Sequence, residues 1–155
     1  MKNEIEYLEQ ILETTLDRIY TLTQLQTPEP LPTTGFSVIA EKDGFKVMRD
    51  NSTGLIWSDR VTKKMDHYQA CKLDYLDDPA FCGLNLEWRL PTIEEYEEAE
   101  KNNIRDALPN MNYWFWSSSV HADYPNYAWL FYGDYGGLGL DYRNGRYYSV
   151  RCVAR

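Results

Sequence analysis

Apolar residues recur at helical spacing along the first 26 residues. Ile5, Leu8, Leu12, Thr15, Ile19 and Leu22 fall on heptad a and d positions, and Ile11, Leu16 and Leu25 widen the stripe. The pattern predicts a helix from Asn3 to about Gln26. Its apolar stripe serves either for packing on its own domain or as a short oligomerisation seam, with a trimer the favoured assembly; Thr15 at a d position weakens that seam. Pro28, Pro30 and Pro32 then remove amide donors at every second residue, which predicts a semi-rigid linker over 27–35 and a separate domain over 36–155.

Beyond the linker the period shortens to that of strands. Phe36–Ile39 and Phe45–Arg49 flank Asp43-Gly44, a hairpin turn signal, and Leu55-Ile56-Trp57 reads as a short buried strand. Thr62 is expected to cap a helix from about Lys63 to Tyr75, with Ala70, Cys71 and Leu73 facing inward. Thr92-Ile93-Glu94-Glu95 is a capping box opening a helix to about Lys101. The acids Glu94, Glu95, Glu97 and Glu98 read as capping groups and a solvated face rather than as catalytic carboxylates. Four strands are predicted after Tyr113: Tyr113–Ser118, Tyr127–Tyr132, Leu138–Tyr142 and Tyr147–Val153. Asn144-Gly145 is expected to join the last two as a hairpin.

Composition changes along with the period. More than half of the aromatic residues lie in 113–155, and from Ser117 onward there is no Lys, Glu, Gln or Met. Aromatic, Gly, Ser and Asn residues together provide contact area at low entropic cost, as in antibody loops. The side chains expected on one solvent-facing recognition surface are Tyr124, Asn126, Tyr135, Leu138, Leu140, Tyr142, Asn144 and Tyr147.

The formal charge of −8 argues against nucleic acid, whose phosphates require clustered Lys and Arg. The chain has no apolar run of roughly 18 residues and no apolar leader, so neither membrane insertion nor Sec secretion is expected. A cytoplasmic or phage-particle-associated location follows as an expectation. The three cysteines and two histidines fit no zinc spacing, and no metal or cofactor is expected.

The order of several motifs resembles the Lcl C-terminal domain family. These are Thr-Gly-Leu-Ile-Trp-Ser-Asp (53–59), Ala70-Cys71, Trp-Arg-Leu-Pro-Thr-Ile-Glu-Glu (88–95), Trp-Ser-Ser-Ser (116–119), Tyr-Ala-Trp (127–129) and Val-Arg-Cys-Val (150–153). The resemblance runs from about Phe45 to Arg155. It implies an α+β, C-type-lectin-like fold of the formylglycine-generating-enzyme subtype, with two helices around an antiparallel sheet and the N-terminal helix ahead of it. It also implies that Cys71 and Cys152 are neighbours able to form a disulfide. Trp57, Trp88, Arg89, Pro91, Trp116 and Trp129 would build the scaffold. The family is named for a collagen-like adhesin associated with sulfated polysaccharides, but an acidic chain without a collagen-like segment does not support carrying that ligand over.

These features point to a non-enzymatic protein that recognises a protein or glycan target. Domains of this subtype also host diversity-generating retroelements, which randomise Asn codons and never produce Lys, Glu, Gln, Met or Trp. Residues 117–155 contain only one of those five types, Trp129. The alternatives are a fixed-specificity adhesin, a structural subunit that assembles through its aromatic stretch, and, last, an enzyme of the formylglycine-generating type. The enzyme is disfavoured because His67 and His121 sit in no recognisable constellation with a nucleophile.

Overall fold

The computed structural model describes residues 2–25, 30 and 32–155, without the side chains of residues 2 and 16–25. Expectations that fall on Gln26, Thr27, Pro28, Glu29 and Leu31, or on the side chains of Leu16, Ile19, Leu22 and Leu25, lie outside the described residues. The chain divides into two units, Met1–Leu31 and Pro32–Arg155. In the first, helix α1 spans Lys2–Leu25. Its Ile5, Leu8, Ile11 and Leu12 are exposed. Thr15 satisfies its hydroxyl locally, donating to the Ile11 carbonyl at 2.8 Å. No helix among the described residues is long and apolar enough to cross a membrane.

The second unit is α+β, with two antiparallel sheets. The first sheet runs in the order β1 (Phe36–Lys42), β2 (Phe45–Asp50), β3 (Ile56–Trp57) and β7 (Val153–Ala154). Asp43 and Gly44 both take positive φ, 53° and 85°, in the turn between β1 and β2, as a tight hairpin requires. The second sheet runs β4 (Trp114–Val120), β5 (Tyr127–Tyr132) and β6 (Gly137–Tyr142). Helices α2 (His67–Lys72), α3 (Ile93–Lys101) and α4 (Ile104–Ala107) accompany these sheets.

Helix α3 begins as its capping box predicts. The Thr92 side chain accepts from Glu95 N–H, and the Glu95 carboxylate accepts from Thr92 N–H. That carboxylate also takes both arms of the Arg89 guanidinium, at 2.6 and 2.7 Å. Burial would raise the Glu95 pKa, but the Arg89 fork and the Thr92 amide outweigh it and hold the carboxyl below its usual value. Ile93, Tyr96 and Ala99 face inward, and the Tyr96 ring stacks on Phe131 with centroids 4.9 Å apart.

Three expectations are corrected. Helix α2 starts at His67, because Asp66 and Gln69 form a complete capping box there. Thr62 instead donates its hydroxyl to Asp78 Oδ2 at 2.6 Å. Ala70 does face inward, but Cys71 is exposed. Residues 147–152 are not a strand paired with β6. They make single bridges, Tyr148 to Met65 and Ser149 to Phe115, and only Val153–Ala154 joins a sheet, beside β3. Asn144-Gly145 therefore turns the chain onto the start of α2, where Gly145 N–H donates to Asp66 Oδ2 at 3.3 Å. Cys71 and Cys152, which the family resemblance implies to be neighbours able to form a disulfide, are free thiols. Cys152 is buried beside the Tyr75 hydroxyl, 3.7 Å from its sulfur, while Cys71 lies against the His67 ring.

A fully buried Arg151 ties the core to its loops. It donates to the carbonyls of Ser58 and Pro109 and lies 4.0 Å from the equally buried Asp59 carboxylate. Asp59 in turn accepts from Lys46 N–H, Arg60 N–H and the Asn110 amide. Desolvation drives the Arg151 pKa down to about 10, and Asp59 opposes that shift.

A candidate recognition surface

Side chains alternate across a strand, and the register of the second sheet sorts the aromatic residues onto two faces. Tyr127, Trp129 and Phe131 on β5 stand opposite Tyr142, Leu140 and Leu138 on β6. All six share one face. Phe131 is buried under Tyr96, and the remainder continues outward as a surface. Tyr127 and Tyr142 rings meet at 4.4 Å, and Tyr124 packs edge-on against Tyr127. His121 stacks on Trp129 at 5.8 Å and contacts Tyr124. Its Nδ1 accepts from the amides of Asp123 and Tyr124, which fixes the loop carrying Tyr124.

This surface runs into a cleft of about 690 Å³ lined by Tyr68, Asn126, Tyr142 and Asn144. Arg143 organises the cleft. Its guanidinium lies 4.3 Å over the Tyr68 ring, its Nε donates to His67 Nδ1, and one terminal nitrogen donates to the Pro125 carbonyl. Its backbone is tied on both sides, with its N–H donating to Asn126 and its carbonyl accepting from His67 N–H. His67 Nε2 lies 2.8 Å from the Ser117 carbonyl, so Nε2 carries the proton and Nδ1 is free to accept. Burial lowers the His67 pKa, and the Arg143 charge adds to that, against the Ser117 hydrogen bond and Asp66.

The eight residues expected to form one surface are all exposed, but they do not form one surface. Tyr124, Asn126, Leu138, Leu140, Tyr142 and Asn144 belong to the face and cleft just described. Tyr135 and Tyr147 do not. Tyr135 packs edge-on against Tyr132, whose side chain lies on the opposite face and stacks on Trp114 at 4.5 Å. Tyr147 lines a smaller cleft of about 280 Å³ with Trp114, Tyr132, Tyr148 and Lys64. Tyr135 sits in the turn before β6, whereas the separation of Tyr147 follows from the missing hairpin: after β6 the chain crosses to the Trp116 side, where Tyr148 packs edge-on against Trp116 and donates to Asp141.

A comparison with protein families places the Lcl C-terminal domain on residues 46–154. The chain belongs to the Lcl C-terminal domain family. No curated protein and no solved structure shows a match. The Lcl motif residues occupy structural positions here. Trp57, Trp88 and Trp116 are buried, and the Pro91 carbonyl accepts from Ser118 N–H. The Arg89 backbone bridges Val153 while its side chain holds Glu95. Trp129 is half-buried, packed against the core cluster of Tyr96, Phe115 and Phe131 and stacked on His121.

Sequence reasoning missed Tyr68 and His121, and placed Arg143 only as flanking the face on its turn. Tyr68 sits 58 positions before Asn126, and only the docking of the 143–146 turn onto α2 brings it there. Arg143 reads as a turn residue, since its partner His67 lies 76 positions away.

Proposed function

We propose that the unit 32–155 is a non-enzymatic recognition module on a C-type-lectin-like scaffold, and that it binds a protein or glycan target. The observation that carries this reading is the continuous surface of Tyr124, Tyr127, Tyr142, Asn126, Asn144 and Tyr68, held on a sheet and on Arg143. Tyrosine offers a flat apolar ring and one polar handle, and asparagine a donor and an acceptor, so target contacts form with little loss of side-chain entropy. Both nitrogens of His67 are engaged, leaving the ring without a lone pair for base catalysis. The α1 stripe of Ile5, Leu8 and Leu12 would gather several heads, most simply three.

The test is to screen the protein against arrayed glycans and candidate proteins, then to repeat any hit with Tyr124→Ala/Tyr142→Ala. Loss of several kcal/mol of affinity supports the reading, since such anchors are worth about 2 kcal/mol or more each. Retained affinity would move the site elsewhere.

The residues of this surface that lie after β5 or on its flanking loops, Tyr124, Asn126, Leu138, Leu140, Tyr142 and Asn144, all come from the stretch without Lys, Glu, Gln or Met, which favours a diversified surface. A near-copy of the codons for 113–155 beside a reverse-transcriptase gene is the expected observation. A single unaccompanied copy leaves a fixed-specificity binder.

A further inference from the structure

Four strand edges border the two sheets, and three of them are managed. β1 carries a bulge between Val38 and Ala40 and ends in Glu41 and Lys42. β7 is two residues long, and its Val153 is bridged to Arg89. The outer side of β4 is bonded to Ser149 and Pro91, and its pairing with β5 is broken between Trp116 and Val120. β6 is different. It pairs with β5 through six consecutive residues without a bulge, and it contains neither Lys nor Pro. Those are the devices that normally keep an edge from recruiting another strand.

The hydrogen-bond pattern identifies which groups on that edge are open. Arg143 N–H donates to Asn126, and Gly136 N–H to Tyr132. Even-numbered residues of β5 therefore face β6, and the inward-bonded residues of β6 are Gly137, Gly139 and Asp141. Leu138, Leu140 and Tyr142 direct their backbone groups outward. The Tyr142 N–H is taken by Asp141 Oδ1 at 2.7 Å. Among the described residues, nothing outside the β5–β6 pair bonds the N–H or C=O of Leu138 or Leu140. Four open groups thus lie symmetrically about Gly139.

We propose that a second copy of this chain covers this edge, β6 against β6, antiparallel about a two-fold axis at Gly139. In that register Leu138 of each copy faces Leu140 of the other, and all four open groups of each copy are paired. The Tyr142 N–H keeps its Asp141 cap. Gly139 meets Gly139, so no side chains compete at the axis. Asp141, the only charged residue of β6, faces Gly137 rather than another carboxylate. A two-fold contact needs a patch complementary to itself, and an antiparallel strand centred on glycine between two leucines satisfies that condition. A strand from an unrelated target would match the backbone groups, but nothing on β6 selects its side chains. The pair forms a six-stranded sheet with two recognition surfaces side by side. The contact uses backbone groups at the edge and leaves the tyrosine face open, so it does not depend on the proposed ligand.

The experiment is residue-resolved amide exchange on the intact chain over a range of protein concentrations. Leu138 and Leu140 amides should exchange at least about tenfold more slowly at the highest concentration than at the lowest. Leu140→Pro removes only an outward N–H, which an edge strand tolerates, and should abolish that protection. Leu140→Lys should do the same while keeping the backbone donor, which guards against a folding defect in the proline variant. Exchange independent of concentration overturns the proposal. So does protection that appears only when a different polypeptide is added.

Discussion

Arg143 Nε donates to His67 Nδ1 at 3.0 Å, joining a turn after β6 to the first residue of α2. The bond requires neutral His67, because a proton on Nδ1 would face the guanidinium. Asp66, Arg143 and the Cys71 thiol are the titratable groups around the ring.

That arrangement predicts a loss of stability on acidification. The folded-state pKa of His67 lies below the ordinary 6.5, so the unfolded chain takes the proton first. Stability is full above that ordinary value and falls as pH drops through it toward the lower folded value. Thermal melts from pH 7.5 to 5 should show the decline. His67→Gln, which can still accept from Arg143, should flatten it. An equal slope in both proteins would place the effect on other groups.

Thiol reactivity should separate the cysteines. Cys71 is exposed, and its pKa is raised by burial of the thiol but opposed by Arg143. Burial pushes Cys152 up to about 12. With an aromatic disulfide reagent, Cys71 should react in the native protein and Cys152 only after unfolding. Failure of both to react before reduction would restore the bond that the structure lacks.

Breaking the Arg151–Asp59 pair should be costly. Both side chains are fully buried, and removing one partner strands the other charge, at about 3–5 kcal/mol. Arg151→Met should therefore lower denaturation midpoints strongly. Adding Asp59→Asn should recover part of the loss, as a double-mutant cycle would measure.

Glycine at position 133 should be required by its surroundings rather than by its φ angle. A Cβ there would overlap the Met111 carbonyl, a backbone atom that cannot move aside cheaply. Gly133→Ala should cost about 1–3 kcal/mol. Gly145→Ala, with open space around it but φ of +72°, tests strain alone.

Tyr124→Ala and Tyr147→Ala should leave the melting temperature nearly unchanged, since substitutions at sites this exposed stay within about ±0.5 kcal/mol. Tyr142→Ala also removes a close, tilted ring pair with Tyr127 and should cost about 0.5–1.5 kcal/mol. Calorimetry on the three variants checks the order.

Local signals settled much of this fold before any contact was visible. Asp43-Gly44 demands positive φ, Thr92 and Glu95 satisfy each other within one turn, and Tyr127–Tyr132 is a short aromatic and aliphatic run ended by Gly133. Each depends on residues at most a few positions apart, which is why sequence alone determined β1, β2, α3 and β5. The motif order likewise carried the family. Tertiary structure decided the rest. Thr62 and Asp66 are both good caps, and Asp66 prevails because Gln69 completes its box while Asp78 takes Thr62. Asn144-Gly145 can close a hairpin, but Asp66 and His67 hold that turn from the other side. Residues 147–152 therefore cross to the Trp116 face, and Tyr147 leaves the surface that holds Tyr142. The exposure of Leu138, Leu140 and Tyr142 could be read from their shared parity along one strand. Which exposed residues share a face could not, since that depends on the long-range contacts of the 143–145 turn with Asp66 and His67.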